Sequence, residues 1–107
     1  MTDNELNMKV CEALGWERVS PDLPDSWYVP DDQPWCSSSQ TPNFIGNPHE
    51  SWRLMVWAKA AIDCGTSFSG WRWTASVRGF IGSDKVSPAR ALVRAFLAYR
   101  GVEVGNG

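Results

Sequence analysis

Six of the seven prolines lie between residues 20 and 48, and this segment most constrains how the chain can fold. Proline lacks a backbone N–H and fixes φ, so the segment cannot form a long helix or a continuous central strand. It is too apolar for a disordered linker, because it contains Trp27, Tyr28, Val29, Trp35, Phe44 and Ile45. We predict a long ordered loop with one or two short edge strands. Such loops are commonly functional, so this segment is the first candidate for a site.

A first and a last helix are predicted at the two ends of the chain. The first begins after Thr2 and ends at Gly15, and the last begins at Ser87-Pro88 and ends at Gly101. Apolar residues recur at helical spacing in both. The expected buried positions are Leu6, Val10 and Leu14 in the first helix, and Leu92, Val93, Phe96 and Leu97 in the last.

A further helix is predicted from Asn47 to Gly65. Asn47 is a good N-cap, Pro48 suits the first helical position and Gly65 is a typical stop signal. The apolar surface of this helix is broad, which indicates burial on two sides, against a sheet and against another helix or subunit. The residues concerned are Trp52, Met55, Val56, Trp57, Ala61 and Ile62.

Residues 71 to 78 alternate between apolar and polar side chains, which is typical of a half-buried strand. Trp71 and Trp73 would share one face with Ala75 and Val77, while Arg72 points the other way. We interpret the two tryptophans as core residues. The alternative is an open aromatic platform on which a base could stack.

Two short apolar pieces between residues 80 and 86 surround a Gly-Ser-Asp turn and complete the strands. The predicted order is helix, irregular loop, helix, strands, helix. The sequence therefore predicts an α+β fold, with an antiparallel sheet of about three to four short strands covered by three helices. At 107 residues, the chain is expected to be one domain, residues 1–107.

Composition favours a cytosolic protein with no membrane segment, because no apolar run approaches the roughly 20 residues that span a bilayer. The three cysteines are widely spaced, which argues against disulfides and a zinc site.

The two halves of the chain differ in charge. Residues 1–50 contain nine acidic and two basic residues, a net charge of −7, whereas residues 51–107 contain eight basic and three acidic residues, a net charge of +5. Either the opposite charges of the two halves neutralise each other, or the basic half binds an anion. A net charge of −2 disfavours binding to duplex DNA.

Catalytic signatures are missing from the sequence, which contains no phosphate-binding loop, no dinucleotide fingerprint and no His-Glu-x-x-His. His49 is the single histidine, so any imidazole chemistry would depend on it alone. Asp31 and Asp32 could bind a metal with Asp25, but adjacent acids in a loop are usually solvated. We expect no enzyme activity, no cofactor and no bound metal.

A phosphorylated small ligand is the favoured occupant of a binding site. Two predicted helix starts offer free amides, the loop offers aromatic rings and the later half of the chain offers arginines. The competing interpretation, which the opposite charges of the two halves favour, is that these arginines pair with the acidic first half. The residues predicted to bind the ligand are Trp35, Asn43, Phe44, Asn47, His49, Arg72 and Arg90.

Three motifs resemble those of the phage ABA-sandwich domain family, in which helices cover an antiparallel sheet. They are "ALGWE" at residues 13–17, "TPNFIGNPHESWRLM" at 41–55 and "KVSPARALVRAFL" at 85–97. One departure is that Ile45-Gly46-Asn47 replaces the family's Ser-Thr-Asp type of helix start. The resemblance implies a fold and an accessory protein of a phage, and it transfers no catalytic residues.

The resulting hypothesis is a non-enzymatic phage protein that acts against host defence in the host cytoplasm by sequestering a nucleotide signalling molecule. The alternative is a protein–protein inhibitor of a host complex, or a virion component, in which tryptophans form the interface. An enzyme that cleaves a nucleotide signal ranks third. We also expect a homo-oligomer, most simply a dimer, because seven tryptophans and four phenylalanines exceed what a small core can enclose.

Overall fold

The computed structural model describes residues 2–67 and 70–102. Within these ranges the helices are α1 (Asp3–Ala13), α2 (Pro48–Ala58) and α3 (Pro88–Tyr99). The strands are β1 (Glu17–Ser20), β2 (Leu23–Tyr28), β3 (Ser38–Gln40), β4 (Ala61–Ser67), β5 (Gly70–Val77) and β6 (Phe80–Asp84). They form two antiparallel sheets of three strands, in the orders β1-β2-β3 and β4-β5-β6. The predicted α+β class is confirmed, although the strands divide between two sheets instead of forming one.

The proline-rich segment contains two short strands, β2 and β3, which agrees with the predicted one or two, but β2 is not the edge strand that was expected. β2 is a central strand although it includes Pro24, which at first sight conflicts with the rule that proline avoids such strands. The pairing explains this, because β3 pairs only with Ser26–Tyr28 of β2. Pro24 therefore lies beyond the part of β2 that has neighbours on both sides.

The predicted extent of the second helix is wrong. α2 ends at Ala58, because Lys59 adopts the left-handed conformation with φ of 56°. Helices commonly end at a residue in this conformation, but it is usually glycine, so Lys59 gives little signal in the sequence. The chain then forms β4, in which Ile62 pairs with Ala75 of β5 and Gly65 pairs with Arg72. Gly65 is thus a strand residue and not a helix stop.

β5 agrees with the alternating pattern of the sequence. Ala75 and Val77 are fully buried, and Trp73 is half-buried against the same core. Arg72 lies on the opposite face, where its Nη1 donates a hydrogen bond to Ser83 Oγ at 3.1 Å. The interpretation of Trp73 as a core residue therefore holds, whereas the side chain of Trp71 lies outside the described part of the structure.

α3 is the most enclosed element of the fold. It lies on β5 and β6, and both α1 and α2 contact it. Its buried residues are Ala91, Leu92, Val93, Ala95, Phe96 and Leu97. The approach to β6 is very close at Gly82, where a Cβ atom would overlap Ala95 N and Ala91 O. Only a residue without a side chain fits between the two backbones.

Polar contacts tie α1 to α3 at both ends. Near the start of both helices, Arg90 Nε and Nη2 donate to the two carboxylate oxygens of Asp3, each at 3.1 Å. Near the end of both helices, Arg100 Nε donates to Ala13 O at 2.8 Å. The two helices therefore run in the same direction. Among the described residues, no helix has the length and apolar character needed to cross a membrane.

Gly82→Ala is expected to lower the free energy of unfolding by about 1–3 kcal/mol, because the added methyl group overpacks the contact between β6 and α3. Gly65→Ala is the matched control in the same sheet, since nothing lies within 4 Å of a Cβ added there. That control should stay within about 0.5 kcal/mol of the unmodified protein. Urea unfolding followed by circular dichroism measures both. Equal stability of the two variants would contradict the close approach of α3.

Candidate binding site

The two aromatic residues predicted to stack on a ligand lie in the core. Phe44 is fully buried and Trp35 is nearly so, and their rings are 5.9 Å apart in an edge-to-face arrangement. Trp16 completes this cluster at 5.4 Å from Trp35 and 6.5 Å from Phe44. The indole Nε1 of Trp35 donates to Glu50 Oε2 at 2.9 Å. The expectation that Trp35 or Phe44 offers a free face to a ligand is therefore wrong, because other rings already cover both.

Asn43 and Asn47 organise the backbone that leads into α2. Asn43 Oδ1 accepts hydrogen bonds from Gly46 N at 2.8 Å and from Asn7 Nδ2 at 3.2 Å. Asn47 is the N-cap, as predicted, and its Oδ1 accepts from His49 N at 3.0 Å. Both side-chain oxygens have structural partners, so neither is directed to a ligand in this arrangement.

Arg90 is paired with carboxylates on two sides. In addition to the contacts with Asp3, its Nη1 donates to Asp84 Oδ2 at 3.2 Å. The same oxygen accepts from Ser87 N at 2.8 Å and from Val86 N at 3.0 Å. Burial acts to raise the pKa of Asp84, but these hydrogen bonds and the charge of Arg90 lower it overall. Asp84 is therefore ionised at neutral pH, and the charge of Arg90 is compensated within the fold.

Arg72 and Arg90 do not converge. Side chains alternate along β5 and β6, so Trp73, Ala75 and Gly82 face α3 and Arg72 faces away from it. Arg90 belongs to α3, on the other side of this sheet. The seven residues predicted to form one ligand site are thus divided between the core, the start of α2, the start of α3 and the far face of the sheet.

His49 lies at an open cleft on α2. Asp31, Asp32, Gln33, Pro34, His49, Trp52, Arg53, Val56 and Trp57 line this cleft, whose volume is about 590 Å³. Four of these residues share one face of the helix, at spacings of three and four. We call His49, Trp52, Arg53 and Val56 the α2 face, and the cleft beside it the α2 cleft. Trp52 and Val56 are 63% and 57% exposed.

The walls of the α2 cleft are held in place by the core. Trp57 lies edge-to-face on Phe96 of α3, with ring centroids 6.4 Å apart. On the opposite wall, Gln33 Nε2 donates to Leu14 O at 2.8 Å, and Gln33 Oε1 accepts from Trp16 Nε1. These contacts fix the turn that carries Asp31 and Asp32. The cleft is therefore largely preformed.

The charges in the α2 cleft are unevenly compensated. Arg53 Nη1 lies 3.3 Å from Glu50 Oε1, and Arg53 Nη2 lies 3.2 Å from His49 Nε2. A guanidinium group only donates, so His49 Nε2 is the acceptor in that contact. No ion pair or side-chain hydrogen bond joins the carboxylates of Asp31 or Asp32 to any other residue in the described ranges. The cleft therefore presents two uncompensated negative charges beside indole rings.

A second, smaller hollow lies on the other side of Trp52. It has a volume of about 330 Å³ and is bordered by Met55, Ile62 and Pro88 among others. Trp52 therefore separates two concave regions. The sequence identified Trp52, Trp57 and Val56 only as parts of a broad apolar helix surface. The structure leaves Trp52 and Val56 in solvent, so the predicted burial of α2 on two sides does not occur within one chain.

The chain matches no protein-family model and no curated protein. Among solved structures, it is similar to a phage protein from Bacillus cereus, with a TM-score of 0.64 and 14% sequence identity. The similarity covers 98% of this chain and 93% of that protein. At this identity, the likeness shows a shared fold. The resemblance to the phage ABA-sandwich family stays a prediction.

Phe44→Ala is expected to lower the free energy of unfolding by about 3–5 kcal/mol, because it leaves a cavity between Trp16 and Trp35. In the ligand-binding role that the sequence predicted for Phe44, its ring would instead contribute little to stability. Trp52→Ala is the matched control, because its ring is 63% exposed and should contribute within about 0.5 kcal/mol. Thermal and urea unfolding of both variants provide the comparison. A Phe44→Ala protein as stable as Trp52→Ala would contradict the aromatic core.

Proposed function

We propose that this chain is a non-enzymatic accessory protein of a phage that binds a host protein through the α2 face. The observation that carries the proposal is the exposure of Trp52 and Val56 on a helix whose other side is anchored in the core by Leu54 and Ala58. A tryptophan exposed between two hollows resembles the residues that dominate protein interfaces. Its burial by a partner would contribute binding free energy without any change in the fold.

The phage assignment is supported by two likenesses. The fold is shared with a phage protein from Bacillus cereus, and the three sequence motifs resemble a phage domain family. An accessory protein of this kind would act in the host cytoplasm, where defence complexes are its natural targets. We therefore propose that the partner is a host defence protein and that the chain acts by covering a surface of that protein.

A role without catalysis is supported by the surroundings of the single histidine. His49 Nε2 accepts a hydrogen bond from Arg53, whose guanidinium also contacts Glu50. That nitrogen is therefore occupied by Arg53 and bonds to none of the serine or cysteine side chains that the structure describes. A general base must have its lone pair available to the group from which it takes a proton.

A second candidate function is sequestration of a nucleotide signalling molecule in the α2 cleft. What favours it is the volume of about 590 Å³, within the range of small-molecule sites, together with Trp52 and Trp57 as stacking surfaces. The charges argue against it. Arg53 is compensated by Glu50, and Asp31 and Asp32 would repel phosphate groups. For this reason we rank protein binding first.

Photo-crosslinking tests the proposed interface. We expect p-benzoylphenylalanine in place of Trp52 or Val56 to give a covalent adduct with one host protein after irradiation of infected or expressing cells. The same group in place of Leu23, which is 52% exposed but lies in β2, is the matched control and should give none. Adducts are detected as shifted bands and identified by mass spectrometry. Equal labelling from position 23, or none from position 52 or 56, would overturn the proposal, and a band of twice the monomer mass would identify a homodimer.

Nucleotide sequestration has a separate test. The protein is incubated with cyclic di- and trinucleotides, freed of unbound ligand and heated to denature it, and the released compounds are analysed by chromatography. Because the cleft charges oppose phosphate, we expect no retained nucleotide. Release of an intact nucleotide would establish the second candidate, and release of an altered one would show enzyme activity.

A further inference from the structure

The α2 cleft has the composition of a site for a cationic side chain. One wall carries two carboxylates that no described residue compensates, Asp31 and Asp32. The other wall carries the indoles of Trp52 and Trp57 and the methyl groups of Val56. A cation is attracted by carboxylates and also by the face of an indole ring. Few other groups would be favoured by both walls at once.

We propose that the protein partner inserts a lysine or arginine side chain into the α2 cleft, an inference that rests on the proposed function. The aliphatic stem of such a side chain packs on Val56 and the indoles, while the charged end reaches Asp31 and Asp32. The volume of about 590 Å³ accommodates one long side chain together with neighbouring apolar groups of the partner. The partner is thus a protein whose docking segment combines apolar and basic residues.

The positive groups already present in the cleft do not compensate the carboxylates of Asp31 and Asp32. Arg53 is directed to Glu50 and His49, at 3.3 and 3.2 Å, and therefore lies against its own helix. The second oxygen of Glu50 accepts from the indole of Trp35, which keeps this carboxylate in place for Arg53. With Glu50 and Arg53 compensating each other, the charge left in the cleft is that of Asp31 and Asp32.

The acidic wall is also positioned by the fold and does not depend on loop conformation alone. The adjacent Gln33 bonds to Leu14 O and accepts from the indole of Trp16, so the turn is attached to the aromatic core. The indole wall is attached to α3 through Trp57 and Phe96. Preformed walls reduce the ordering cost of binding, which favours a specific occupant over diffuse attraction.

Three short peptides test this inference directly. They are N-acetylated and C-amidated Leu-Lys-Leu, Leu-norleucine-Leu and Leu-Glu-Leu, which differ only in the central side chain. Their binding is followed by titration into 15N-labelled protein, with the indole N–H signals of Trp52 and Trp57 as reporters. We expect the lysine peptide to bind about five- to tenfold more tightly than the norleucine peptide, and the glutamate peptide to bind least.

Two double variants distinguish an effect of the cleft carboxylates from an effect of the overall surface charge. Asp31→Asn with Asp32→Asn should remove the preference for lysine while leaving binding of the norleucine peptide unchanged. Asp22→Asn with Asp25→Asn is the matched control, because it removes the same charge from exposed positions of the same acidic segment and should retain the preference. Raising the salt concentration should weaken the preference in the unmodified protein.

The outcomes distinguish this inference from the proposed function. Equal binding of lysine and norleucine peptides would overturn the cationic site and leave the α2 face as a docking surface. Loss of the preference in the Asp22/Asp25 control would also overturn it, because net charge alone would then explain the effect. If no peptide shifts the Trp52 or Trp57 signals while crosslinks form at position 52, the docking surface stands and the basic side chain is rejected. If no crosslink to a host protein forms from position 52 or 56, the proposed function itself is wrong.

Discussion

At Gly82, the backbone of β6 lies directly against the backbone of α3, and this contact sets the position of the other elements. It allows α3 to lie close to the sheet, and six of the side chains of α3 are buried. α1 and α2 then lie against the remaining sides of α3. Because α2 is anchored by Leu54 and Ala58, its opposite side must face solvent. The exposure of Trp52 and the presence of the α2 cleft both follow from this arrangement.

Local signals accounted for much of the fold. Thr2, Asn47 and Ser87 cap the three helices as their sequence positions indicate, and β5 follows its alternating pattern. The predictions from the sequence were wrong where the residue type does not indicate the backbone conformation. Lys59 ends α2 in a conformation usually taken by glycine, and the apolar run that follows suits a helix and a strand equally. The two strands of the proline-rich segment, β2 and β3, depend on pairing between residues up to 14 positions apart, as in Ser26 and Gln40.

The candidate site could be predicted only in part. The sequence indicated the start of α2 and included His49, which does line the cleft. It could not decide which aromatic rings are exposed, because the exposure of Phe44, Trp35 and Trp52 depends on what packs on each ring in the folded chain. Nor could it show that Asp3, 87 residues from Arg90, compensates that arginine. Such partnerships exist only in the folded chain, and they leave Asp31, Asp32 and Trp52, and not Arg90, available to a binding partner.

The ties between α1 and α3 have a consequence for the order of events during synthesis. α1 leaves the ribosome well before its partner α3, because all six strands and α2 lie between them in the chain. Until α3 emerges, Leu6, Val10 and Leu14 lack one of the surfaces against which they are buried. Contacts between such distant segments also slow folding, because a long loop must close before they form. The nascent chain therefore exposes the apolar stripe of α1 until α3 has been synthesised, and chaperones that bind such surfaces have time to engage it.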